Sequence, residues 1–304
     1  MSPQGMQGII NITDKAHGLP FSKGLLAVSF MSTGLAPSKA YLVAQAIKDD
    51  LLTAGEDEIS TSALREIAVD YLRKMAGEEF ASRYRKMRDM AHIDRPLIIL
   101  IGGTTGVGKS TIATEVAHRL GITRISSTDS VREVMRGIFS RDLMPAIYES
   151  AFNAWQGLRV PVPEGANPVI VGFREQTAVV TSGVKSLIDR AVLEGLSMVI
   201  EGVHLVPGYL DPAEFEGALV IQIVIAVDDE DSHLSHFYIR EVQTDGLRPL
   251  ERYRSNFDEI RMLGRYIEDM ATEHGIRVIH SHQLDRTVAD VLEYIVATAV
   301  GTKY

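Results

Sequence analysis

The sequence contains no cysteine. Disulfides and thiolate metal centres are thereby excluded, and a reducing, cytoplasmic setting is the expectation. Long hydrophobic runs are also missing. The longest, "ALVIQIVIAV" at 218–227, is far short of the roughly 20 residues a bilayer span takes. The opening "MSPQGMQGIINITDKAHG" has no apolar core behind a charged start, so no signal peptide is expected. Excess positive charge is absent as well. The net charge of −9 argues against a nucleic-acid surface, which would be basic. It leaves room for a local basic pocket that takes a small anion. Lysine disappears between residues 186 and 302, so arginine is the default cation there. With 304 residues and 45% apolar content, the chain has material for two domains or one large one.

Residues 22–92 carry apolar side chains at helical spacing. Leu42, Val43, Ala46, Ile47 and Leu52 form one expected stripe, and Leu64, Ile67, Ala68, Tyr71 and Leu72 another. "HIDRP" breaks the pattern, because the residue before Pro96 is pushed toward extended structure. The expected domains are therefore 1–92, mostly helical, and 93–304. From Leu97 the texture alternates. Strands are expected at 97–102, 122–128, 197–202, 218–227 and 276–281, with helical stretches between them. Nearly continuous apolar strands separated by helices imply an α/β domain with a five-stranded, mainly parallel sheet covered on both faces. Residues 153–174 are rich in Pro and Gly and read as irregular.

"LIILIGGTTGVGKSTIATEVA" at 97–117 is a buried strand, a loop built from backbone, and a helix start in series. Gly103-Thr104-Thr105-Gly106-Val107-Gly108-Lys109-Ser110, followed by Thr111, satisfies the phosphate-loop pattern between those two elements. Its glycines let backbone N–H groups face one concavity, and the helix start adds unpaired donors for an anion. These nine residues are the expected ATP site. Lys109 is the expected catalytic cation for the β- and γ-phosphates, and Ser110 offers a hydroxyl to Mg²⁺.

Three further features point to a kinase. Asp129 stands at the C-terminal end of the second strand, where open α/β sheets bind ligands. Ser130 and Glu133 make a capping box, which starts the next helix at Ser130. Two roles fit Asp129, acceptance of a substrate hydroxyl's proton or helix capping alone. Glu201 ends an apolar strand, the place for a carboxylate of the magnesium shell, and is taken as catalytic and metal-binding. His204 follows on the loop and, alone, reads as a structural hydrogen bonder. The segment 228–256 gathers Arg240, Arg248, Arg252 and Arg254 into a candidate lid, since the guanidinium fork suits phosphate and carboxylate. Arg248 is assigned to catalysis and the other three to substrate. Pairing with acidic neighbours on a solvated helix is the other reading of these arginines. His233 and His236 share a helix face, but a metal site there would need more ligands than the sequence identifies. No Asn-Lys-x-Asp base-reading motif of a GTPase is present.

At these residues the chain resembles the 2-phosphoglycerate kinase family. The resemblance spans nearly all of 90–304. It rests on "IGGTTGVGKST", "ISSTDSVREVMR", the linked run from Gly172 to Gly208, "HFYIR" and "ERYRSNFDEIR". It implies transfer of the ATP γ-phosphate to the 3-hydroxyl of 2-phosphoglycerate, with ATP and Mg²⁺ as cofactors and a small phosphorylated hydroxy acid as partner. Asp129, Arg132, Arg174 and Lys185 are then candidates for that acceptor, together with the lid arginines. No nucleic-acid or membrane partner is expected, and homo-oligomerisation stays open. Residues 19–35, 40–55, 58–72 and 80–90 resemble an ATP-cone, a small regulatory nucleotide domain. Such domains usually open with a basic strand of the Lys-Arg-Asp-Gly kind, where this chain reads "INITDKAHGLPFS" with Lys15 as its one comparable cation. A kinase for another small hydroxylated acceptor and a non-catalytic ATP sensor are the alternative functions.

Overall fold

The computed structural model describes residues 10–13, 18–90, 95–245, 247 and 249–301. The chain divides into two compact units, Met1–Ile93 with Ala299–Tyr304, and Asp94–Thr298.

The first unit runs β1 (Asn11–Thr13), β2 (Gly18–Pro20), α1 (Lys23–Met31), α2 (Pro37–Thr53), β3 (Glu58–Ser60), α3 (Thr61–Met75) and α4 (Glu78–Met90). β1 pairs antiparallel with β2 and parallel with β3. Strands of three residues show no alternation that a sequence pattern can register, so only the helices were legible. Ser22 and Ser60 cap α1 and α3, each side chain accepting a backbone N–H from the first turn. The core joins Phe30, Ile47, Leu72 and Tyr84, with Phe30 and Tyr84 edge to face at 5.4 Å. One expected stripe is corrected. The buried face of α2 is Ala40, Val43, Ala44, Ile47 and Leu51, while Leu42 and Leu52 are exposed. The 40/43/44/47/51 spacing is the true helical stripe, and Leu42 lies about 100° around the helix from Val43.

The second unit runs β4 (Leu97–Gly102), α5 (Lys109–Leu120), β5 (Ile125–Ser127), α6 (Thr128–Ile138), two 3-10 turns at Pro145–Tyr148 and Ala151–Gly157, α7 (Pro168–Leu193), β6 (Met198–Glu201), a third 3-10 turn at Pro212–Glu214, β7 (Leu219–Ala226), α8 (Glu230–Gln243), α9 (Leu250–Arg254), α10 (Phe257–Glu273), β8 (Arg277–His280) and α11 (Leu284–Gly301) up to its residue Thr298. The sheet order is β5-β6-β4-β7-β8, and every pairing is parallel. All six residues of β4 are buried, which is why its sequence is uninterrupted rather than alternating. Val180, Val184 and Ile188 of α7 pack with Ile98, Leu100 and Ile200. Ile260, Leu263 and Ile267 of α10 pack with Val224, Phe173 and Phe237 in a second cluster.

Two local expectations differ from the structure. Helix α6 begins two residues earlier than the Ser130–Glu133 box implied, at Thr128, because Ser127 is the cap and accepts the Ser130 N–H. Asp129 therefore lies inside the first turn and is not its cap. Helix α7 starts at Pro168, inside the stretch read as irregular. Asn167 caps it and Pro168 occupies the first helical position, where a missing N–H costs nothing. Among the described residues, no helix is long and apolar enough to cross a membrane.

Candidate active site

Register brings the site together. Glu201 lies opposite Ile101 on one side and Ser127 on the other, so the ends of β4, β5 and β6 fall at one level. The loop after β4, the first turn of α6 and Glu201 thus meet at the C-terminal edge of the sheet, where such sheets take ligands.

The loop from Gly103 to Gly108 needs its glycines for two reasons. Gly103 and Gly106 have φ of 132° and 91°, a region that side chains disfavour. A Cβ on Gly103 would overlap the Ile225 carbonyl, and one on Gly106 would overlap the Phe237 ring. Thr104 turns away from the cavity and donates its hydroxyl to the Ile260 carbonyl at 2.9 Å, anchoring the loop to α10. Two histidines of α8 brace the loop from outside. His233 Nε2 donates to the Thr105 carbonyl and His236 Nδ1 to the Gly106 carbonyl, both at 2.8 Å. The shared face of these histidines, visible in the sequence, serves the loop backbone. Among the described residues no group of three or more His, Asp or Glu side chains is placed to hold a metal ion.

Lys109 is buried and donates to the Thr104 carbonyl at 2.6 Å. Burial pulls its ammonium below the usual lysine range, Glu201 and Asp129 draw it back up, and Arg240 lowers it further. Ser110 donates to Glu201 Oε1 at 2.9 Å. A small cleft of about 50 Å³ is lined by Lys109, Ser110, Ser127, Asp129, Glu201 and Arg240, among others. Beside it a cleft of about 320 Å³ is lined by the loop, Thr111, His236, Ile239, Arg240, Gln243, Ser281, His282 and Leu284. Its far wall was missed in the sequence. The available signal was the position of Ser281–Leu284 just past the C-terminal end of β8, the edge where ligands bind.

The remaining expected site residues are scattered. Arg132 is largely buried and reaches Asp129 at 3.3 Å. Arg174 projects from α7 beside Tyr209 and Tyr266, and their hydroxyls hold its guanidinium above its usual range. Lys185 pairs with Glu214 on the surface. Arg252 and Arg254 are exposed on α9 and line neither cleft. Arg248 lies outside the described residues.

No family model matches the chain. A 2-phosphoglycerate kinase of Methanothermobacter thermautotrophicus is 43% identical over 289 residues, 95% of this chain and 94% of that one. The chain belongs to the 2-phosphoglycerate kinase family. Family members from Methanopyrus kandleri and Thermococcus kodakarensis are 40% and 38% identical, over 96% and 93% of this chain and 88% and 95% of theirs. The likeness therefore runs through both units and is not confined to the phosphate loop.

Two buried histidines set an acid limit on the fold. Burial holds His204 at about 3 and His233 at about 4, against 6.5 for a free histidine. Below pH 6.5 the unfolded chain binds protons that the folded chain refuses, so stability falls as pH falls. The slope approaches about 1.4 kcal/mol per pH unit for each histidine. Melting temperature should drop steadily between pH 7 and pH 5, and a flat profile there would contradict the burial of both rings.

Proposed function

We propose that this chain transfers the γ-phosphate of ATP to the 3-hydroxyl of 2-phosphoglycerate, giving 2,3-bisphosphoglycerate and ADP. The observation that carries the reading is the Ser110–Glu201 pair at 2.9 Å, set beside Lys109 and Asp129 in one cleft. The relatives' shared name supports the acceptor.

The donor set suits magnesium. A hydroxyl and a carboxylate are hard oxygen ligands, and this ion usually completes its shell with phosphate oxygens and water. Ser110 and Glu201 would hold it. When bound, it neutralises charge on the β- and γ-phosphate oxygens. The chain's own groups do the rest. Loop N–H groups bind the phosphates, and Lys109 follows the charge that grows on the bridging oxygen as the bond to the γ-phosphorus breaks. The acceptor's hydroxyl oxygen forms the new bond in line, and its proton passes to an Asp129 carboxylate oxygen. Arg240, which lines both clefts, would take the acceptor's anionic groups, with Arg132 standing behind Asp129 as a second cation for them. The reading does not need Arg174, Lys185, Arg252 or Arg254. It takes residues 1–92 as an ATP-cone-like regulatory or assembly module, supported by four helices beside a small three-stranded sheet. Lys15 lies outside the described residues.

Coupled ADP release tests the acceptor. With 2-phosphoglycerate, release should exceed that with 3-phosphoglycerate, glycerate or no acceptor by at least about tenfold, because a site built for two anionic groups loses binding when one is missing or misplaced. Equal release with and without any acceptor would leave a nucleotide sensor as the better account.

A further inference from the structure

One buried polar cluster lies outside the catalytic assignments above. Thr128, Gln176 and His204 are each at most 1% exposed, so no bulk water can substitute for a missing partner. The Gln176 amide nitrogen donates to the Ala146 carbonyl at 2.6 Å and the Glu149 carbonyl at 3.1 Å. With its nitrogen held there, its oxygen must face His204 Nε2, at 2.8 Å. That oxygen can only accept, so His204 carries its proton on Nε2. Nδ1 is then an acceptor, and the Thr128 hydroxyl donates to it at 2.9 Å. For the neutral imidazole that burial favours, every donor and acceptor in this series is thereby assigned.

The chain also closes on itself. Arg132 donates to the same Glu149 carbonyl that Gln176 uses, and reaches back to Asp129 at 3.3 Å. Asp129 follows Thr128 directly. The result is a ring, Thr128–His204–Gln176–Glu149 carbonyl–Arg132–Asp129, spanning α6, the loop after β6, α7 and the 3-10 turns. It ties the two acceptor-side residues to a loop that begins just beyond Glu201.

We propose that His204 is a positioning residue for phosphoryl transfer, holding Asp129 and Arg132 in place against the phosphate-loop side through this ring. The proposal rests on the kinase reading above. His204 does not move a proton itself. Burial keeps it neutral, with Asp129 opposing that effect and Arg132 and Lys109 reinforcing it. Its value is rigidity with direction. An imidazole offers one acceptor and one donor at fixed separation, and both are used.

Two measurements test this. The first is nitrogen-15 histidine NMR on the wild-type protein. His204 should show the Nε2–H tautomer and no titration between pH 6 and pH 8. Titration there, or the opposite tautomer, overturns the ring whatever the enzyme's activity. The second compares Thr128→Val with Thr128→Ser. Val keeps the shape and removes the hydroxyl, so acceptor kcat/KM should fall by about tenfold to a hundredfold, the scale of small misplacements. The ATP KM should stay within about threefold of wild type, and Ser should recover most of the loss. Unchanged acceptor kinetics in Thr128→Val would overturn the positioning role. Equal losses in Val and Ser, with ATP affinity falling in step, would overturn it too, since packing would then be the cause. A wild type without acceptor-dependent ADP release sinks the functional reading instead, and the NMR result still decides the ring.

Discussion

Lys109→Ala should lower turnover on the order of a hundredfold or more, the usual cost of removing a preorganised charge stabiliser. The effect should fall on kcat more than on the ATP KM, because the ammonium gains most where charge grows in the transition state. In the structure Lys109 is buried and held to the Thr104 carbonyl. The cation is thus stored beside the loop rather than waving in solvent. Its loss removes a buried charge, not a core side chain, and the fold should survive. Steady-state kinetics with a melting curve check this. A folded variant with near-normal turnover would take the loop out of the chemistry.

Asp129→Asn should lower turnover by about a hundredfold or more, within the range of general-base contributions, while ATP affinity stays near normal. Asparagine keeps the size but cannot take the hydroxyl proton. The structure sharpens the test. Ser127, not Asp129, caps α6, so loss of a helix cap is not an effect expected of this substitution. Unchanged turnover in the folded variant would end the assignment of Asp129 as proton acceptor.

What could be read before any coordinates depended on how local the physics was. The end of β4, the phosphate loop and the start of α5 are consecutive, and each leaves its own mark: an apolar run, glycines, then Lys-Ser. Glu201 was legible because an acidic residue closes an apolar strand. The start of α6 was misplaced because two serines compete for the cap, and only geometry decides between Ser127 and Ser130. The start of α7 was readable in principle from Asn167-Pro168 and was masked by the Pro- and Gly-rich stretch before it. The two clefts draw on residues from Thr105 to Leu284, and no periodicity connects such distant positions. The ring around His204 was beyond reach for the same reason. Its members are ordinary side chains whose meaning comes only from their partners. Arginine was the weakest guide, since a region without lysine uses it for every purpose, including surface pairs.

The wall of the larger cleft made by Ser281, His282 and Leu284 has a consequence for the order in which the protein is made. Those residues directly follow β8, the strand that covers the outer edge of β7. A chain emerging from the ribosome carries its phosphate loop long before it carries this stretch. Until residues 277–284 have been synthesised, β7 stands as an open edge, the kind of surface on which chains pair wrongly. Over the same interval the cleft lacks one side. The last strand covers the edge of β7, and the residues that follow it complete the cleft.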